Sequence, residues 1–312
     1  MADRPIFDDN KRYLTYSSYL KRRFGKKVFK VPLNIGLGCP NRDGTKGTGG
    51  CIFCSHKLSG DFAGDPGEDI RKQFDEVRAV LHKKWEDALY IPYFQAGTNT
   101  YGDTELLRSL FERAAGFENA VGLSVATRAD CIDGEKADML ASLAERTYLT
   151  VELGLQSIHD RTAALCNRCH TYEEFLHGFG LLKERGINVC VHMINGLPGE
   201  DREMMLSTAE AVGALGVHSV KIHLLHILEG TVLGEMYRRG EASAMEMDDY
   251  ISVVCDQIER LPRDIIIQRV TGDGAAKELI APLWSIKKFC VMNGIDKELR
   301  RRDTYQGIYA RF

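Results

Sequence analysis

An α/β fold built on parallel strands follows from two patterns in this 312-residue chain. Apolar, β-rich runs recur at 31–37, 89–95, 122–127, 149–154, 188–194 and 219–225. Amphipathic stretches with helical spacing lie between them at 104–115, 133–143, 171–185 and 203–215. Strands covered on both faces read as nearly continuous hydrophobic runs, and both 148–155 and 187–194 read that way. Six strand–helix units are too few to close an eight-stranded barrel. They predict a partial (β/α)6 TIM-like barrel with parallel strands plus N- and C-terminal helical extensions.

The extensions differ from the core in charge. Residues 1–30 carry nine basic side chains against Asp3, Asp8 and Asp9, with Tyr13, Tyr16, Tyr19 and Phe24 interleaved. That composition fits either an RNA-binding face or a solvated helix whose aromatics turn to the core. A second basic cluster, Arg300, Arg301 and Arg302 with Lys287 and Lys288, lies near the other end. A seventh strand is expected at 265–270 and helices after Pro282. The expected division is therefore a basic extension at 1–30, a core barrel at 31–275 and a C-terminal extension at 276–312 packing on the core. A net charge of −3 with 44% hydrophobic and 27% charged residues excludes a disordered chain. No window approaches 18 uncharged apolar residues and the first residues lack an apolar signal core, so a cytoplasmic protein without membrane contact is expected.

Nine cysteines, an odd number, fit metal binding or buried thiols better than a disulfide framework. Cys39, Cys51 and Cys54 form a C-x11-C-x2-C pattern directly after the first run, with six glycines from Gly36 to Gly50. Three neighbouring thiolates raise one another's pKa unless a cation or cluster neutralises them. Two readings compete: zinc with His56 as fourth ligand, or an iron–sulfur cluster with one iron lacking a protein ligand. The loop's place at a strand's C-terminal end, where barrel chemistry collects, favours the cluster.

Other residues stand at the corresponding ends of later runs. Glu152 inside an apolar run is costly unless paired. His223 and His226, three apart, are poorly spaced for one strand face, so no shared metal is expected. Cys166 and Cys169 form an isolated C-x2-C, and Cys131, Cys190, Cys255 and Cys290 read as packing.

Taken in order across residues 30–275, these motifs resemble the radical S-adenosylmethionine (radical SAM) superfamily. The resemblance implies that Cys39, Cys51 and Cys54 hold a [4Fe–4S] cluster whose fourth iron is chelated by SAM, and that Phe53 packs near the adenine. It places Gly97 and Thr98, in the segment after the second run, at the SAM amino group. The segment containing Thr127, Arg128 and Asp130 is similar to an Elongator-like Thr-Arg-Pro-Asp, with Ala129 in place of proline. Glu152, Gln156 and Arg168 would be site residues, the latter two at the ribose hydroxyls and the SAM carboxylate. His192 and Ile194 would lie in the strand and turn that contact adenine and ribose. Lys221 to His226 with Gly230 and Thr231, and Arg269 to Asp273, also look Elongator-like, and with 279–307 the chain is similar to the compact YhcC/YtqA type.

The implied function is reductive cleavage of SAM at the cluster to a 5′-deoxyadenosyl radical, fed by a reduced flavodoxin or ferredoxin-type donor, with tRNA as substrate. The end at Phe312 leaves no room for an acetyltransferase domain such as follows in Elongator. Two alternatives are the same chemistry on a small metabolite and a zinc-stabilised, non-catalytic RNA-binding module.

Overall fold

The computed structural model describes residues 7, 10–58, 60, 63–272 and 276–311, so Asp3, Arg4, Asp8, Asp9 and Asp273 lie outside the described residues. Seven parallel strands, β1 (Val28–Leu33), β2 (Leu89–Phe94), β3 (Gly122–Thr127), β4 (Tyr148–Gln156), β5 (Asn188–Asn195), β6 (Ser219–Leu224) and β8 (Ile266–Arg269), pair in that order as one open sheet. A short antiparallel pair, β7 (Ile227–Leu228) with β9 (Leu279–Ala281), stands apart from it. The sheet is the predicted partial barrel with a seventh strand on its last edge.

Helices follow the strands. They are α1 (Tyr16–Phe24), α2 (Ile70–His82), α3 (Thr104–Ala115), α4 (Gly134–Ala144), α5 (Asp160–Leu165), α6 (Tyr172–Lys183), α7 (Arg202–Ala214), α8 (Val232–Arg238), α9 (Met247–Arg260) and α10 (Lys288–Arg301). Caps set their starts: Asp103, Asp133 and Asp201 each accept a backbone N–H of the first turn, and Thr171 with Glu174 makes a capping box. Their apolar faces cover the sheet. Leu107, Phe111 and Ala114 of α3 are buried, with the Phe111 and Phe94 rings 4.8 Å apart. Among the described residues no helix is long and apolar enough to cross a membrane.

The gap between β1 and β8 is filled by the N-terminal segment. Thr15 bridges Ile267, the Ile267 N–H donates to Leu14 O at 2.9 Å, and Lys30 Nζ donates to Gln268 Oε1 at 2.9 Å. Gln306 accepts the Leu14 N–H and donates to the Pro262 and Ile265 carbonyls, so the C-terminal tail fastens the same seam.

Of four features, the first and last correct an expectation and the middle two resolve readings left open. First, β1 begins three residues before the predicted 31–37 run, because its register is set by pairing Val28 to Leu89 and the chain beyond Leu33 is loop. Second, Tyr13, Tyr19 and Phe24 pack inward, Tyr19 and Phe24 against Tyr148 at 6.2 and 5.7 Å, so the exposed face of α1 is basic but not aromatic. Third, the C-terminal arginines are engaged within the chain: Arg301 and Arg302 with Glu298, Arg302 also with Asp256, and Arg300 with the Asn10 carbonyl. Fourth, Cys290 is exposed and so is not the packing residue expected, while Cys190 is buried as expected with Glu152 and His192 beside it.

Candidate active site

A cavity of about 1100 Å³ opens at the C-terminal ends of the strands and continues into the barrel. Every predicted site residue lines it: Cys39, Cys51, Cys54, Phe53, Gly97, Thr98, Thr127, Glu152, Gln156, Arg168, His192 and Ile194. His56 is exposed and is not part of the lining. Among the described residues, Glu152, Cys190 and His192 are the one Cys/His/Asp/Glu group whose ligand atoms all lie within 4.8 Å of one another. A tetrahedral zinc needs sulfurs about 3.8 Å apart, from bonds of about 2.3 Å. The three cysteines and His56 do not form a group of that kind among the described residues.

Side chains and backbone hold the cysteine loop from several directions. Arg42 donates to the Cys54 and Ser55 carbonyls at 3.0 and 2.6 Å, and Asn167 Nδ2 to the Thr48 and Gly50 carbonyls at 3.0 and 2.8 Å. The Ile52 N–H reaches Cys166 O, and the Thr98 N–H reaches Gly38 O. Gly97 has φ +74°, and a Cβ there would lie 2.2 Å from Leu37 O, so only glycine lets the two loops approach. None of the three cysteines is in a disulfide. Cys51 Sγ has Asn41 Nδ2 at 3.7 Å and Arg168 Nη1 at 3.8 Å, donors suited to anionic sulfur.

At the end of β4 the strand bulges. Register with β5 shifts between Gly154 and Gln156, and Gln156 takes φ 74°. A bulge re-aims a side chain, here into the cavity. A Cβ on Gly154 would lie 2.7 Å from Gln156 Nε2 and 2.9 Å from Arg168 Nη2, so glycine leaves room for that pair. Gln156 Oε1 and Arg168 Nε are buried without a hydrogen-bond partner. Buried polar atoms are rarely left so unless a ligand completes them. The Thr127 hydroxyl is instead tied to Thr100 at 2.6 Å.

Deeper in the barrel, the fully buried Glu152 carboxylate meets Lys30, Lys221, the Tyr93 hydroxyl at 2.8 Å and His192 Nε2 at 2.8 Å. Burial alone would raise the carboxyl's pKa, but Lys221 and Lys30, then His192, hold it well below the usual range. Burial pushes Lys221 down to about 8 against the pull of Glu152. Burial and Lys221 push His192 down to about 4, so the ring is neutral near pH 7. A carboxylate only accepts, which puts the imidazole proton on Nε2. Glu152 is thus paired, as its cost required, but its oxygens face protein groups. Lys30 and Tyr93 were not singled out from the sequence; Lys221 between Val220 and Ile222 gives the same signal as Glu152, a charge inside an apolar run.

The radical SAM superfamily model matches residues 33–212, and the radical SAM C-terminal domain model matches 217–301. The chain is 49% identical to the uncharacterized protein YtqA of Bacillus subtilis, over 97% of this chain and 94% of that one. It is 32% identical to a tRNA uridine(34) acetyltransferase of Methanocaldococcus jannaschii, over 51% of this chain and 30% of the other. Among solved structures it is similar to the archaeal Methanocaldococcus infernus Elp3 with an N-terminal deletion. That likeness has a TM-score of 0.65 and 20% identity, covering 89% of this chain and 64% of that one.

Proposed function

The chain belongs to the radical SAM superfamily and is an enzyme whose cofactors are a [4Fe–4S] cluster and SAM, and we propose that it uses them to modify tRNA, with a wobble uridine as the target. One observation carries the assignment of the site. The three cysteines share a single cavity with Gln156 and Arg168, whose Oε1 and Nε are buried without a partner.

When bound and reduced, the cluster supplies one electron to the SAM sulfonium, giving methionine and a 5′-deoxyadenosyl radical that takes a hydrogen atom from the substrate. Cys39, Cys51 and Cys54 are the iron ligands, and three protein ligands leave one iron for SAM. Arg168 binds the SAM carboxylate and Gly97 and Thr98 its amino group. Gln156 bonds the ribose hydroxyls, Phe53 lies against the adenine, and His192 and Ile194 complete the adenine and ribose contacts. Thr127 shapes the wall through Thr100, and Glu152 fixes His192 and the two lysines below the cofactor. The loops around Gly97 exclude water from the radical.

In this reading residues 31–275 form the catalytic core, 1–30 a basic extension toward the substrate, and 276–312 an extension packing on the core. A reduced flavodoxin or ferredoxin-type protein is the electron donor, and the enzyme works in the cytoplasm without a membrane partner. Support for tRNA comes from the named activity of the acetyltransferase relative and from the basic lining described below. Anaerobic holoenzyme with SAM, reductant and bulk tRNA tests it. The expected result is several-fold stimulation of 5′-deoxyadenosine formation by tRNA, with a mass-shifted nucleoside in the tRNA digest. Cleavage indifferent to tRNA, with unchanged nucleosides, would overturn the tRNA reading and favour a small metabolite.

A further inference from the structure

The cavity has a second end with a different lining. Lys26 and Lys27 precede β1 and Cys39 follows it, yet all three line the same cavity, which therefore spans both ends of a strand about 20 Å long. At the cysteine end the cations are Arg42, Arg128 and Arg168. Among the described residues, the rest of the lining carries Lys21, Lys26, Lys27, Lys30 and Lys221 against one carboxylate, Glu152. Glu152 is already taken up by Lys30 and Lys221. Barrel interiors are ordinarily filled by apolar side chains, so this surplus of cations is unusual.

At the mouth, Lys21, Lys26 and Lys27 are exposed and make no ion pair among the described residues. Beside them stands Trp85, 42% exposed, its ring centroid 6.2 Å from that of Phe29. Lys27 Nζ and Lys84 Nζ lie 5.8 and 5.9 Å from the Trp85 ring centroid. An exposed aromatic side chain with ammonium groups close to it is how proteins hold an unpaired nucleotide, stacking its base and neutralising its phosphates. The inward-packed Tyr19 and Phe24 cannot serve that purpose; Trp85 can.

We propose that this end of the cavity is a nucleotide-binding site, in which Trp85 stacks a base and Lys21, Lys26 and Lys27 hold the adjoining phosphates. The proposal deepens the tRNA reading and rests on it for the view that the nucleotide belongs to an RNA strand. The same chemistry would also take a free nucleoside diphosphate.

Two probes separate these sources: a fluorescent ten-nucleotide oligouridylate and ADP, each titrated into reconstituted holoenzyme over a range of salt. The variants are the triple charge reversal Lys21→Glu, Lys26→Glu, Lys27→Glu and the single change Trp85→Ala. For RNA, the triple variant should lower the slope of log affinity against log salt by about 2, at about 0.7 per lost phosphate contact. Affinity should fall tenfold or more in each variant. SAM cleavage without substrate should stay at the wild-type rate in both, which also shows that they fold. RNA binding lost in the variants, with ADP inert, assigns the site to a strand. ADP binding lost in the same variants assigns it to a free nucleotide. Either outcome supports the site. No binding of either probe to the wild type, or binding unchanged in both variants, overturns it. Binding is read without turnover, so a wild type that binds RNA but is not stimulated by tRNA would sink the proposed function and leave this site standing.

Discussion

Three residues separate Glu152 from Gln156 on β4, yet their surroundings are opposite. The Glu152 carboxylate is satisfied on both oxygens by Lys30, Lys221, Tyr93 and His192. At Gln156 the strand bulges, and Gln156 Oε1 and the neighbouring Arg168 Nε are buried with no partner. An unsatisfied buried polar atom costs about 1–3 kcal/mol. Other buried groups among the described residues carry that cost too, but at Gln156 and Arg168 a ligand in the cavity can remove it. In the deeper region the Glu152 oxygens are fully engaged, although His223 Nε2 is not, and the carboxylate acts by holding charge in place.

The contrast is broken or sharpened by separating loss of ligand from loss of stability. The largest effect belongs to Cys54→Ala, which would remove one of the three proposed iron ligands. Iron and sulfide should fall to background and SAM cleavage with them, while far-ultraviolet circular dichroism stays native; an active, iron-loaded variant would remove the basis of the site. Glu152→Gln comes next and acts on the deeper region. It leaves Lys30 and Lys221 without their carboxylate and should cost about 3–5 kcal/mol in denaturant unfolding, as when one partner of a buried pair is removed. Unchanged stability would mean the network is not the structural element described.

Arg168→Ala should instead leave stability near wild type and weaken SAM binding about 10- to 100-fold, the range for a hydrogen bond to a charged group. Equilibrium dialysis with labelled SAM measures it, and a stability loss without a binding loss would reverse the comparison. Gln156→Ala should act in the same way but only about fivefold, since its bonds are neutral.

The smallest effect is on pH. Burial, with Lys221 for one and Arg23 for the other, pushes His192 and His218 down to about 4. Their folded values lie below the usual 6.5, so the unfolded chain binds more protons between about 4 and 6.5. Their stability is complete above that window and declines as pH falls through it. Glu152, also held below its usual value, adds to the decline at more acid pH. Melting temperature should be flat near neutrality and fall steadily below about 6.5, and His218→Gln should flatten that slope.

How much of this was legible in the sequence depended on how local the signal is. Strand β3 and helix α3 have the predicted bounds, because an apolar run and an Asp103 cap are written in neighbouring residues. The cysteine spacing is local in the same way, whereas Gln156 and Arg168 were singled out by the family resemblance, and all of them line the one cavity. Helices α2 and α9 were not picked out, although Phe74 and then Tyr250, Val254 and Ile258 give each a buried face. The bulge that turns Gln156 inward is a relation between β4 and β5, with no local signature. The partners of Glu152 lie 122, 69, 59 and 40 residues away, so the sequence showed that the carboxylate needed pairing but not with what. Trp85, on the turn before β2, acquires meaning only when β1 brings Lys27 beside it.

The central claim is that Cys39, Cys51 and Cys54 hold a cluster with one iron open to SAM. Electron paramagnetic resonance of the anaerobically reconstituted, dithionite-reduced protein, recorded with and without SAM, tests it most directly. A [4Fe–4S]+ signal that changes shape when SAM is added is the expected result. No iron–sulfur signal, together with stoichiometric zinc, would contradict it.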